Sequence, residues 1–327
     1  MSEGWAVGVD IGGTNVVVGL VGAEDGATAV LRSRPTASME SPESAIDQIA
    51  EMAEEVISEG LAVAGDRREM VLGVGIGSPG PLDLECGIVL DAFNLGWKDF
   101  PLRDRVAAAV GLPVHLENDA RAATWGEYWR GAGQGTRSLV GVTLGTGIGG
   151  GVILDGRLVH GASATAGEIG HMTIDFTGRR CKCGNYGCLE AYASGPNIAA
   201  RAREGVEAGA ESILLDLAGG DPERITAATV SEALLRGDAY ANEVMQETAK
   251  ILGAGIANVV NVLNPEMVVI VGGVTRAGEH LFVPLRAEVR RRSFRVAEQA
   301  CRIVAGALPD TAGVIGAAGL FLESLRT

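Results

Sequence analysis

Trp5-Ala-Val-Gly-Val-Asp10-Ile-Gly12-Gly13-Thr14-Asn15-Val-Val-Val-Gly-Leu20 is an apolar run, a glycine turn and a β-branched run. It reads as a buried strand, a tight turn and the returning strand of a hairpin. Further on, Ser138-Leu-Val-Gly-Val-Thr-Leu144-Gly145-Thr146-Gly147-Ile-Gly-Gly-Gly151-Val-Ile-Leu154 repeats the plan. One plan used twice predicts two related α/β lobes with a cleft between them. A length of 327 residues agrees with about two domains.

Between the echoes, alternating signals extend both lobes. Ser41-Pro42-Glu43 is a helix start, a capping serine followed by proline and an acid, and predicts a helix to about Gly60. A strand over 71–76 runs into the rigid Gly77-Ser78-Pro79-Gly80-Pro81 loop. A helix over 101–110, a short strand over 114–116 and a helix starting near Ala120 follow. The later chain predicts helices over 196–208, 211–217, 230–235 and 239–263. A buried strand over 267–271 ends at Gly272-Gly273, and a helical tail covers 311–325. The expected lobes are 1–119 and 120–310, with the terminal helix 311–327 packing back on the first.

Composition narrows the function. Hydrophobic residues make up 47% and aromatics only 4%, with 48 glycines, so the cores are aliphatic and the turns tight. No stretch is long and apolar enough to cross a membrane. A net charge of -14 argues against a general nucleic-acid surface, which needs a basic field. A bound phosphate must then be held by backbone amides and a metal ion.

Gly167-Glu168-Ile-Gly-His171 and Cys181-Lys-Cys183-Gly-Asn-Tyr-Gly-Cys188-Leu-Glu190 place one imidazole and three thiols close together. His171, Cys181, Cys183 and Cys188 form the donor set of a closed, structural Zn2+ site. Disulfide formation is the competing reading, but three cysteines leave a remainder, and Cys86 and Cys301 are far off in sequence. Met1-Ser-Glu-Gly lacks the basic and apolar regions of a signal peptide, so a cytoplasmic, reducing location is expected. Glu168 and Glu190 flank the cluster without being needed as ligands. Removing the metal is expected to misplace His171 and Glu190 and to leave the glycine turns intact.

The two glycine turns are candidate phosphate cradles, since backbone N–H groups without side chains in the way form anion-binding nests. Gly12, Gly13, Thr14 and Asn15 make the first, Gly145, Thr146 and Gly147 the second, and Gly272-Gly273 a third. Either turn alone is equally a plain hairpin turn; together they point to a nucleotide. Neither is a Walker loop, and neither leads into a helix as a Rossmann fingerprint does. Asp10, ending the first strand, could hold a water of Mg2+. Glu117-Asn118-Asp119 sits at a strand-to-helix junction, where α/β proteins place their sites, although Asn118 or Asp119 also suits a helix N-cap.

Asp-Ile-Gly-Gly-Thr-Asn at 10–15, Glu-Asn-Asp-Ala at 117–120, Leu-Gly-Thr-Gly-Ile-Gly-Gly-Gly at 144–151, Gly-Glu-Ile-Gly-His at 167–171 and Cys-x-Cys-Gly-x-x-Gly-Cys-x-Glu at 181–190 occur in that order. Together, over nearly the whole chain, they resemble the ROK family of sugar kinases and repressors within the hexokinase/actin-like superfamily. The resemblance implies an α/β, two-lobed actin-like (ribonuclease-H-like) ATPase fold. It implies that Asp119 is the general base toward a sugar hydroxyl, and that Asn118, Glu168, His171 and Glu190 contact the sugar. His171 would serve both zinc and sugar. Gly80, in the segment from Ser78, and Asn94 would complete the sugar loop. ATP with Mg2+, a structural Zn2+ and a homo-oligomer, dimer or tetramer, belong to the same expectation.

ROK repressors carry an added N-terminal DNA-binding region, whereas here the first strand starts at about Trp5, and the kinase branch is expected. The Cys188–Gly195 segment resembles bacterial glucokinases, which implies ATP-dependent phosphorylation of glucose at the 6-hydroxyl. Kinases for N-acetylmannosamine, N-acetylglucosamine, fructose or mannose share most of these motifs, and a non-catalytic sugar-sensing regulator is the rival of another class.

Overall fold

The structure is a computed structural model that describes residues 4–36, 41–92 and 95–326. Asn94, an expected sugar contact, lies outside the described residues. The first part of the chain forms β1 (Trp5–Ile11), β2 (Asn15–Gly22), β3 (Thr28–Pro35), α1 (Pro42–Ala64), β4 (Val71–Ser78), β5 (Leu82–Asp83), β6 (Ile88–Ala92), β7 (Trp97–Phe100), α2 (Leu102–Val110), β8 (Val114–Asn118) and α3 (Asp119–Arg130). Then come β9 (Leu139–Leu144), β10 (Ile148–Leu154), β11 (Arg157–Leu158), α4 (Glu190–Ala193), α5 (Gly195–Glu207), α6 (Leu214–Leu217), α7 (Ala227–Leu235) and α8 (Ala239–Leu263). The chain closes with β12 (Met267–Val271), α9 (Glu279–Arg292), α10 (Arg295–Ala300), β13 (Arg302–Ala305) and α11 (Ala312–Ser324).

The echo read from the sequence is an echo of topology. One sheet has the order β3-β2-β1-β4-β8 and the other β11-β10-β9-β12-β13. In the first, β1, β2 and β3 pair antiparallel, then β1, β4 and β8 run parallel. In the second, β10 and β11 are antiparallel, and β9, β12 and β13 are parallel. Parallel strands bring their carboxyl ends to one edge, where α/β proteins bind ligands. Register puts Asp10 beside Gly77 and Ser78 beside Asn118.

Contacts divide the chain into two compact units. The first holds residues 1–136, 151–167 and 307–327; the second holds 137–150 and 168–306. Residues 120–136 and 151–167, assigned by sequence to the later lobe, thus fall in the first unit. The reason is packing: α3 lies against α11, and Gly126 and Gly316 let the two backbones meet. A Cβ on Gly316 would lie 1.7 Å from the Ala122 carbonyl oxygen, and one on Gly126 would lie 2.2 Å from that of Ala312. Buried Glu127 accepts the backbone N–H groups of Ala307 and Leu308 at 2.9 Å each, pinning the entry to α11.

Helix α1 starts as read: Ser41 and Ser44 form a reciprocal capping box, Pro42 follows, and Gly65 ends the helix in the left-handed region. The expected helix over 211–217 is cut to Leu214–Leu217. Ser212 and the Ile213 N–H are tied to the Asp238 carboxylate, which caps α8, so that segment cannot wind. The small β5-β6-β7 sheet, and α9, α10 and β13, carry signals that the sequence reading did not single out.

Candidate active site

In the first unit, Asp10 is the last residue but one of β1, and Asp119 opens α3 after β8, two strands away. Burial and the neighbouring Asp119 carboxylate push Asp10 up from 3.8 to about 7. The question of the cap is settled locally. Asn118 is the N-cap of α3, its Oδ1 accepting the N–H groups of Ala120 and Arg121 at 3.1 Å. The Asn118 amide then donates to Asp119 Oδ1 at 3.0 Å, and the Ala120 N–H donates to the same oxygen at 2.8 Å. The carboxylate of Asp119 is thereby oriented by its own junction.

The first glycine turn is braced rather than loose. Thr36 donates its hydroxyl to the Gly12 carbonyl at 2.7 Å and its N–H to the Thr14 carbonyl at 2.8 Å, while the Gly12 N–H reaches the Asn15 carbonyl. Gly13, Thr14 and Asn15 are exposed, Ser78 is buried, and Gly80 is exposed in the loop after β4.

Glu117, part of the Glu-Asn-Asp motif, is a buried carboxylate bonded through both oxygens. It is 1% exposed, with Arg121 Nε at 2.7 Å from Oε1 and His160 Nε2 at 2.7 Å from Oε2. Burial works to raise its pKa, but the bonds from His160 and Arg121 outweigh it and hold the carboxyl below its ordinary value. Glu117 lies in β8 and Arg121 in α3, so no helical-face spacing announces the pair; the strand-to-helix junction brings them together.

In the second unit, the turn at 145–147 joins β9 to β10, with Gly145 and Thr146 exposed. The Glu190 Oε2 accepts the Ile148 N–H at 2.8 Å, and the Gly195 N–H donates to the Gly145 carbonyl at 2.9 Å. So Glu190, read from sequence as a sugar contact, also braces the second turn. Gly272 follows the neighbouring parallel strand β12 at φ +110°, and a Cβ there would lie 2.2 Å from the Leu144 carbonyl oxygen. The second and third glycine turns therefore lie side by side, and Gly273 opens a 3-10 turn to Ala277.

The four predicted metal ligands converge. One donor atom from each of His171, Cys181, Cys183 and Cys188 lies within 4.8 Å of every other. Cys183 and Cys188 sulfurs are 3.7 Å apart, and Cys181 Sγ is 3.8 Å from His171 Nδ1. A disulfide needs about 2.05 Å. The edge of a tetrahedron with metal–sulfur bonds of ~2.3 Å is roughly 3.8 Å, so these side chains could hold a metal ion. Burial pushes the Cys188 thiol up to about 12 and raises that of Cys181, whereas the Asn185 N–H lowers that of Cys183. Glu168 is exposed, just before the 3-10 turn that carries His171.

Relatives carry the same plan from end to end. Glucokinase of Thermotoga maritima is 40% identical over 320 residues, spanning 98% of each chain. The ROK family glucokinase of Streptomyces griseus, solved in complex with glucose and AMPPNP, superposes with a TM-score of 0.83 at 37% identity, over 97% of this chain and 99% of that one. A ROK family transcriptional regulator, a homologue of the Escherichia coli MLC protein, superposes with a TM-score of 0.85 at 29% identity, but only 78% of it is covered. The ROK family model matches residues 6–324. With the repeated sheet order, the braced glycine turns and the His/Cys cluster, this establishes that the chain belongs to the ROK family and has its mixed α/β, actin-like sugar-kinase fold.

Proposed function

We propose that the chain is an ATP-dependent glucokinase, transferring the γ-phosphoryl group to the 6-hydroxyl of glucose. The observation that carries the reading is the Asp10–Asp119 pair at the edge of the first sheet, with Asn118 and not Asp119 serving as the cap. Asp119 would accept the hydroxyl proton as the sugar oxygen attacks phosphorus and ADP leaves. Asn118 fixes its orientation. The N–H groups of the turns at 12–13 and 145–147 would take the phosphate oxygens, with Gly272 and Gly273 beside the second. The carboxylate of Asp10 suits a hard cation, and Mg2+ bound with the nucleotide would supply neutralisation of phosphate charge. Glu168, His171 and Glu190, with Gly80 and Asn94, are assigned to the sugar. Three thiolates and an imidazole suit Zn2+ in a closed structural role. We carry a cytoplasmic homo-oligomer in the same reading; no described helix is long and apolar enough to cross a membrane.

Coupled release of ADP from Mg·ATP on adding glucose tests this, with mannose, fructose and the N-acetylhexosamines as competing substrates and polyphosphate as competing donor. Asp119→Asn should lower turnover by about a hundred- to ten-thousand-fold, with calorimetric glucose affinity much less affected. Retention of more than about a tenth of turnover would show that another group takes the proton. Glucose binding without ADP release would favour the sugar-sensing regulator.

A further inference from the structure

Residues 159–167 form a loop that ends immediately before Glu168. It closes on itself through the Ala166 N–H to the His160 carbonyl at 3.0 Å and the Ser163–Thr165 hydroxyl pair at 2.9 Å. Its path needs Ala164 at φ 54, a left-handed conformation that an alanine adopts only when its surroundings enforce it. Two bonds enforce it. Arg121, 2% exposed, donates Nη1 to the Ala164 carbonyl at 2.6 Å, and His160 Nε2 meets Glu117 Oε2 at 2.7 Å. Glu117 also accepts the Asn118 N–H at 2.8 Å through Oε1. One buried carboxylate thus bonds the residue before the general base and, through His160 and Arg121, the start and the middle of the loop. An ionised carboxylate only accepts, so His160 Nε2 is the donor.

We propose that Glu117 and His160 are positioning residues for sugar binding, setting the course of the loop at 159–167 and with it Glu168. The inference rests on the reading that Glu168 contacts the sugar. Neither residue takes a proton or touches phosphate in the reaction; their bond aims a neighbour.

The test compares His160→Ala, His160→Gln and Glu168→Gln in the full chain, with kinetics in both substrates and calorimetric glucose titration. The His160 side chain is 42% exposed, so its truncation leaves the core filled. His160→Ala should raise the KM for glucose by roughly tenfold or more, with the KM for ATP held within about twofold and kcat within about threefold. In His160→Gln the carboxamide N–H can reach Glu117, and the glucose KM should return to within about threefold of the parent. If Glu168→Gln raises the glucose KM and His160→Ala leaves it unchanged, the positioning role is wrong. Equal losses in both KM values with a lowered melting temperature would show a merely structural bond. If Glu168→Gln itself leaves glucose affinity unchanged, the sugar assignment of Glu168 fails and the proposal falls with it.

Discussion

Asp10 sits in an environment that disfavours its charged form. Its carboxyl is raised to about 7 by burial and by Asp119, against an ordinary value of 3.8. Between those values the folded chain keeps a proton that the unfolded chain has released. Stability from this group is therefore full below about pH 4 and is lost as pH rises through 7, at up to ~1.4 kcal/mol per pH unit. The substitution Asp10→Asn removes the buried ionisation. Melting curves of the nucleotide-free protein from pH 5 to 8 should fall with pH in the parent and be flatter in the variant. A parent curve as flat as that of the variant would show that Asp10 keeps its ordinary ionisation. At the same scale, Asn118 resolves an ambiguity that no spacing rule could. Two adjacent residues could cap α3, and only the backbone direction at 118 shows which one does.

Among the elements, the segment from the His/Cys cluster to α5 changes an expectation. The glycine turns were expected to be indifferent to loss of the metal. Instead α4, which begins two residues after Cys188, presents Glu190 to the Ile148 N–H, and Gly195 holds the Gly145 carbonyl. Freeing the cluster should therefore loosen the second turn as well as His171. The substitution Cys183→Ser should lose the bound zinc, about one per chain in the parent by metal analysis. It should weaken calorimetric affinity for glucose and also for AMPPNP, each by on the order of tenfold or more. Unaltered AMPPNP affinity in a zinc-free variant would mean that α4 keeps its place without the metal.

For the whole molecule, the decisive element is the last. Helix α11 buries Val314, Ala318, Phe321 and Leu322 against Ala6 and Val21, so the C-terminal end completes a unit begun at the N-terminus. Removing that cover exposes apolar surface worth about 25 cal/mol per Å2 and unseats α3, which carries Asp119. A chain cut after Thr311 should bind apolar dye, lose its cooperative melt and fail to bind glucose. A truncated chain that melts like the parent and keeps its glucose affinity would show that α11 is dispensable. Long-range closure of this kind makes folding wait for the end of the chain, because contacts of high sequence separation form slowly.

The repeated strand–turn–strand and the His/Cys cluster were legible because each is local: a β-branched run on either side of glycines declares a hairpin, and donor side chains a few residues apart declare a cluster that could hold a metal ion. The same locality explains why the helix starts at Ser41 and at Asn118–Asp119 could be anticipated, since caps are bonds between near neighbours. What the linear order could not contain was pairing across distance. Glu117 meets His160 forty-three residues on, Glu190 reaches back to Ile148, and Glu127 holds Ala307 and Leu308. Each uses an ordinary acid whose neighbours in sequence say nothing of its partner. The amino-acid sequence alone determined the kinds of chemistry available and the glycine turns between paired strands. Only the tertiary structure decided which carboxylates are buried, which are spent on holding backbone, and which stand at the sheet edge, because burial and partnership come from chain segments that meet only when folded.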